Sequence, residues 1–143
     1  LIKEDGKRLI LLGPEKESEL LNRIRNSGQS KTIKIIPPVN LRVLTGLLRK
    51  SRLFIGNDSG MMHLAAMVGV PVLGIFGPGS PDTTGPYMAM EKQEMVTKNF
   101  SCSPCKQRFF KECKPSPLNK PYCIEDITVK DIHEAVRRLL KRY

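Results

Sequence analysis

The chain has few acidic residues, no long apolar run, and no helical or strand periodicity over much of its last third. Nothing approaches the roughly 18 to 20 consecutive apolar residues that a membrane-spanning helix needs, and no charged-then-apolar leader of the signal-peptide kind is present, so a soluble protein is expected. Internal repeats and low-complexity tracts are also missing, which excludes solenoid and linker architectures. Only 14 Asp and Glu stand against 24 Lys and Arg, for a net charge of +10. Such a balance suits a polyanionic partner such as nucleic acid, anionic lipid or a phosphorylated glycan, and it equally suits a plain solvated basic surface. The excess is uneven, with 11 basic against 5 acidic residues from Lys98 onward.

The 143 residues, 40% of them hydrophobic, suffice for the core of one domain over 1–143. The chain opens at Leu1 on a polar Lys3-Glu4-Asp5-Gly6-Lys7 run that leads straight into an apolar segment, which predicts a piece of a longer protein. Arg8 to Leu12 reads as a strand buried on both faces, stopped by Gly13-Pro14. A helix follows: Glu15, Glu17 and Glu19 suit its first turns, Leu20, Leu21 and Ile24 share a face, Arg23 and Arg25 suit its end, and Gly28 supplies a left-handed stop. Thr32 to Ile36 predicts a second strand ended by Pro37-Pro38. Asn40 then caps a helix carrying Leu41, Leu44, Leu47 and Leu48 on one face, and Leu53 to Ile55 a third strand. Alternating strands and helices at this spacing predict an α/β, Rossmann-like parallel sheet with helices on both faces. From Gly77 to about Asp126 the periodicity disappears, and a Cys-rich basic insert over about 98–126 precedes a helix over about 128–142. Thr128 caps that helix with Asp131 three residues on, and Val129, Ile132, Val136, Leu139 and Leu140 form its stripe.

The segment that points to function is Phe54-Ile55-Gly56-Asn57-Asp58-Ser59-Gly60-Met61-Met62-His63-Leu64-Ala65-Ala66, a strand ending in a small polar turn that opens into a helix. Ser59 and Gly60 would offer unpaired backbone N–H groups at a helix N-terminus, where the dipole adds roughly half a positive charge. A nucleotide diphosphate fits such an end. The structural alternative is that Asp58 or Ser59 only caps the helix. The next unit, Val70-Pro71-Val72-Leu73-Gly74-Ile75-Phe76-Gly77-Pro78-Gly79-Ser80-Pro81, is another apolar strand running into a Gly- and Pro-rich loop. In an open parallel sheet both loops lie outside the carboxyl ends of adjacent strands and face one crevice.

Together, Asp58 to Ala66, Gly69-Val70-Pro71, Phe76-Gly77-Pro78 and Pro81 resemble the C-terminal domain of glycosyltransferase family 9, the ADP-heptose:lipopolysaccharide heptosyltransferases. The likeness extends over essentially the whole chain, from the Leu-Leu-Gly-Pro-Glu turn at residues 11–15 to the cysteine-bearing insert. It implies the nucleotide-sugar-binding half of a GT-B enzyme. Asp58 would approach the donor sugar, Ser59 and Gly60 would bind the diphosphate, His63 would point toward the phosphates, and Gly77 and Pro78 would complete the donor site. His63 has a structural alternative as the partner of a nearby carbonyl. Ser59 stands where members often carry Thr, which keeps the hydroxyl, and Arg42 stands where some place a nucleoside-binding Glu. The resemblance further implies an inverting transfer in lipopolysaccharide core biosynthesis that needs no cofactor, at the cytoplasmic face of the inner membrane. The partners are an ADP-heptose-like donor, a lipid A core acceptor and anionic lipid beneath the basic insert. The general base and most of the acceptor site would come from an N-terminal domain absent from this chain, so the 143 residues are expected to bind donor weakly and to transfer nothing.

Cys102, Cys105, Cys113 and Cys123 form a C-x2-C-x7-C-x9-C array in the segment that most needs a cross-link. Four thiolates can hold a structural Zn²⁺; disulfides are the alternative, and an iron–sulfur cluster a third. Cys-x-x-Cys in a basic segment with Phe109, Phe110 and Tyr122 also suits a nucleic-acid-binding zinc module. That module would leave the Asp58-Ser59-Gly60 turn unexplained, so no nucleic-acid partner is expected. An epimerase of GT-B architecture is a further alternative.

Overall fold

Short apolar runs closed by Gly, Pro or Asn form the strands, and the amphipathic stretches between them form the helices. The computed structural model describes residues 8–27, 32–103, 105 and 113–142. The chain divides into two compact units, Leu1–Leu44 and Thr45–Tyr143.

In the first unit, β1 (Leu9–Leu11) pairs in parallel with β2 (Ile33–Ile35), Leu9 opposite Ile33. A 3₁₀ turn at Glu15–Glu17 leads into α1 (Ser18–Ser27), with Glu19 in its first turn and Arg25 in its last. Gly13 is small because Leu21 packs against it: a Cβ there would stand 3.2 Å from Leu21 Cδ1. The expectation that β1 is buried on both faces is corrected, since Ile10 is 41% exposed and Leu9 and Leu11 are half-buried. Gly28, expected to stop α1, lies outside the described residues.

Asn40 caps α2 (Leu41–Arg49) as its position suggests, its Oδ1 accepting from Val43 N at 3.0 Å. Of the apolar stripe, Leu48 is buried whereas Leu41 is exposed.

The second unit carries the site. Its sheet has the order β3 (Phe54–Asn57), β4 (Val72–Phe76), β5 (Gln93–Thr97), parallel throughout, with α3 (Gly60–Met67) between β3 and β4 in the chain. β4 is central, and Val72, Leu73 and Phe76 have no accessible surface. Gly56 and Gly74 are register partners on β3 and β4. A Cβ on Gly74 would lie 2.7 Å from Met95 Sδ, 2.8 Å from Phe76 Cε2 and 3.0 Å from Met62 Sδ. Glycine therefore lets fully buried Met62, on α3, settle onto the sheet, which sets where α3 begins.

β5 corrects the expectation of an aperiodic stretch from Gly77. Gln93-Glu94-Met95-Val96-Thr97 is too polar to read as a strand in isolation. It becomes one because β4 offers a free edge and α6 (Val129–Lys141) packs over it. The irregular stretch also contains α4 (Pro81–Thr84), a 3₁₀ turn at Met90–Lys92 and α5 (Tyr122–Glu125). Glu94 ties β5 to α6 by accepting from Arg138 Nε at 2.8 Å and from Arg142. On α6 the buried face is Ala135, Val136 and Leu139, while Val129, expected in the stripe, is exposed in the first turn.

The predicted cap of α6 is present in full: Asp131 N donates to Thr128 Oγ1 at 3.2 Å, and Thr128 N donates to Asp131 Oδ2 at 2.7 Å. These bonds, first the Thr128 backbone N–H and then Lys98 at 3.0 Å, hold the Asp131 carboxyl at about 2. A folded-state value below the unfolded one makes the cap stabilising above about pH 4 and weakening as pH falls toward 2. Thermal unfolding followed between pH 5 and 2 should therefore show a steeper acid loss in the native chain than in Asp131→Asn; parallel curves would reject it. Among the described residues, no helix is long and apolar enough to cross a membrane.

Candidate functional site

The site is built where β3 and β4 end side by side. Asp58 N continues the ladder by donating to Ile75 O at 3.2 Å, so the turn after β3 is anchored to β4 before the chain bends into α3. Ser59 is the extended N-cap residue (φ −161°, ψ 164°), and its carbonyl accepts from Met62 N at 3.0 Å. Its hydroxyl makes no capping bond. The capping alternative for Ser59 therefore has no hydrogen bond behind it, and among the described residues no acceptor reaches the N–H groups of Ser59, Gly60 and Met61. These are three of the four donors that every helix start leaves over. Asp58, Ser59 and Gly60 are exposed, and a Cβ added at Gly60 would meet nothing within 4 Å. The positive end of α3 is open.

His63 is half-buried in the first turn of α3, with N–H to Ser59 O at 3.5 Å. Its imidazole makes no hydrogen bond among the described residues, so the carbonyl-partner alternative finds no support. The loop after β4 comes next to this turn through Asp58: Asp58 Oδ2 accepts from Thr84 Oγ1 at 2.8 Å and would lie 2.6 Å from a Cβ at Gly79. The two loops thus meet, as adjacent parallel strands require. Gly79 and Thr84 are the members of this arrangement that sequence reading missed; Gly79 had a signal in the Gly-Pro-Gly run, Thr84 had none.

Gly77 is buried and Pro78 half-buried, and both touch the insert. A Cβ on Gly77 would collide with Ile124 Cδ1 and Cγ1 of α5, and Pro78 O accepts from Cys105 N at 2.9 Å. The insert is therefore tied to the second site loop at two points. Its far end is folded by a turn in which Asn119 adopts φ 57°, and Pro115 and Pro121 form an antiparallel bridge. Cys113 and Cys123 sit two residues outside that bridge on either side. Burial pushes the Cys123 thiol up; its own backbone hydrogen bond opposes this, and Cys102, Cys105 and Cys113 add to the rise. None of the four is in a disulfide, and among the described residues no three His, Cys, Asp or Glu side chains stand in a metal-ready group. Phe109 and Phe110, the proposed base-stacking residues, lie outside the described residues; Tyr122 is 41% exposed.

Arg42 lies in the first turn of α2, in a segment assigned to the first unit. A cavity of about 210 Å³ between β5 and α6 is lined by Lys98, Asp131, Glu134 and Arg138. Lys98 pairs with Asp131 and Arg138 with Glu94, so this cavity offers an anion little free charge.

A model of glycosyltransferase family 9 (heptosyltransferase) matches residues 1–114. Lipooligosaccharide heptosyltransferase 2 of Campylobacter jejuni serotype O:2 is 32% identical over 137 residues, 93% of this chain and 41% of its own length. Lipopolysaccharide heptosyltransferase 1 of Pseudomonas aeruginosa is 31% identical over 65% of this chain and 25% of its own length. The chain thus spans about two fifths of the first of these relatives and a quarter of the second. Among solved structures, E. coli ADP-heptose lps heptosyltransferase II superposes with a TM-score of 0.75 at 23% identity, covering 98% of this chain and 38% of its own. E. coli heptosyltransferase WaaC with ADP gives 0.68 at 19% identity, over 96% and 36%. These likenesses confirm the α/β parallel-sheet architecture.

Proposed function

Since the chain belongs to glycosyltransferase family 9, the heptosyltransferase family, we propose that it is the donor-binding part of an enzyme that transfers heptose or a related sugar in lipopolysaccharide core biosynthesis. The observation that carries the reading is the open N-terminal end of α3, three N–H groups without an acceptor among the described residues, beside the Asp58 carboxylate and the Gly77–Pro78 loop. An ADP-sugar laid there places its diphosphate on the N–H groups of Ser59, Gly60 and Met61, its sugar hydroxyls against Asp58, and a phosphate oxygen near His63. In an inverting transfer an acceptor hydroxyl attacks the anomeric carbon as the bond to the nucleotide diphosphate breaks. Negative charge then builds on the leaving diphosphate, where helix N–H donors are worth most. The base that takes the acceptor proton, and the lipid A core acceptor itself, are assigned to a part of the enzyme outside these residues. No cofactor is assigned to the transfer.

The test is a panel of ADP-, UDP-, GDP- and CDP-sugars in thermal unfolding. ADP-sugar is expected to raise the midpoint most, by the mass-action stabilisation that a native-state ligand confers, and no sugar transfer by the 143 residues is expected. No protection by any of the four, with steeply salt-dependent binding of single-stranded DNA instead, would replace this reading by the nucleic-acid one.

The four cysteines are assigned a cross-linking role, holding the insert against Pro78. Zinc in stoichiometric amount in reduced, chelator-free protein would mark a metal site, and loss of thiol titre on oxidation without metal would mark disulfides. A full thiol titre with no bound metal would remove the role. The basic insert is further assigned a contact with anionic lipid, for which flotation with anionic liposomes at low salt is the measurement.

A further inference from the structure

The Asp58 carboxylate is held from an unexpected quarter, twenty-six positions along the chain. Thr84, the last residue of α4, brings its hydroxyl to 2.8 Å from Asp58 Oδ2 and 3.1 Å from Ser80 O. A hydroxyl has one proton to give. Ser80 O already accepts from Thr83 N at 3.1 Å, Thr84 N at 2.9 Å and Thr83 Oγ1 at 3.2 Å, whereas a carboxylate oxygen is the stronger, charge-assisted acceptor. The proton of Thr84 therefore goes to Asp58. Gly79 stands on the other side, where an added Cβ would lie 2.6 Å from Asp58 Oδ2 and push the carboxylate aside. Oδ2 is thus engaged, while among the described residues no hydrogen bond reaches Oδ1.

We infer that Thr84 is the positioning residue for Asp58: its hydroxyl holds one carboxylate oxygen so that the other is presented to the donor sugar. The inference rests on the donor-site reading above. Thr84 touches no ligand in this arrangement and acts only through Asp58. The rest of α4 serves to place that hydroxyl. Pro81 opens the helix, Thr83 and Thr84 turn back onto Ser80 O, and Gly85 N donates to Pro81 O at 2.8 Å.

A binding series on the protein with ADP and ADP-heptose, read by isothermal titration or by NMR shifts at millimolar ligand, separates positioning from plain structural support. Thr84→Val removes the hydroxyl at constant shape and should weaken ADP-heptose by about fivefold to tenfold, within the range of an ordinary intramolecular hydrogen bond. ADP, which lacks the sugar, should bind within about twofold of the unchanged protein on the same scale. Thr84→Ser, which keeps the hydroxyl, should restore ADP-heptose binding. In an Asp58→Asn background, Thr84→Val should add little, since two residues acting as one unit are non-additive. Equal losses for ADP and ADP-heptose, or additive losses in the double variant, would overturn the inference and leave the donor site standing. Failure of the unchanged protein to bind either nucleotide would overturn both.

Discussion

Gly79→Val is expected to weaken ADP-sugar binding by about tenfold, roughly 1.4 kcal/mol, with little change in thermal midpoint. The Cβ would stand 2.6 Å from Asp58 Oδ2, inside any real contact, so the carboxylate must swing away from Thr84 and lose its fixed orientation. The backbone asks for no glycine at this position, since Gly69 is the only described glycine with positive φ. The residue is small because Asp58 is close. Titration with ADP-heptose beside thermal unfolding measures both halves of the expectation. An unchanged affinity would mean that Asp58 moves freely and holds no sugar; a collapse of the midpoint would mean that the loop has a structural role and no site role.

The largest stability effect should come from Phe76→Ala, about 3–5 kcal/mol, or on the order of 10–20 °C in midpoint for a domain of this size. Phe76 ends the central strand with no accessible surface. Its ring reaches under both glycines: Cε2 would be 2.8 Å from a Cβ on Gly74, and Cδ1 3.6 Å from one on Gly79. Removing it empties the space between Met62 of α3 and the loop that carries the site. Phe76→Leu, which refills most of that volume, should recover much of the loss. Denaturant unfolding of the three proteins decides the matter, and a cost below about 1 kcal/mol for alanine would show that the region collapses to fill the gap.

These two residues also show where reading along the chain succeeds and where it stops. The strand that ends at Phe76 was legible, because an apolar run bounded by Pro71 and Gly77 has no other use. The same holds for Asn40 and Thr128, whose capping chemistry is local and needs only neighbours three residues away. The opening of α3 after Asp58 was legible for the same reason, and its unpartnered N–H groups follow from helix geometry. Ile10 was not legible, because whether an apolar strand face is covered depends on what lies beside it. Nor was β5: five residues of mixed polarity carry no decisive period, and the free edge of β4 chose them.

The alternation of strands and helices up to β4, the helix caps and the open turn at residues 58–60 were all contained in the order of the amino acids. Each rests on interactions that span one turn or one strand. The partnership of Asp58 with Thr84, the forced smallness of Gly74, Gly77 and Gly79, and the attachment of the cysteine insert to Pro78 came only with folding. Most of them join residues 20 or more positions apart, and no local propensity records which distant side chain will arrive.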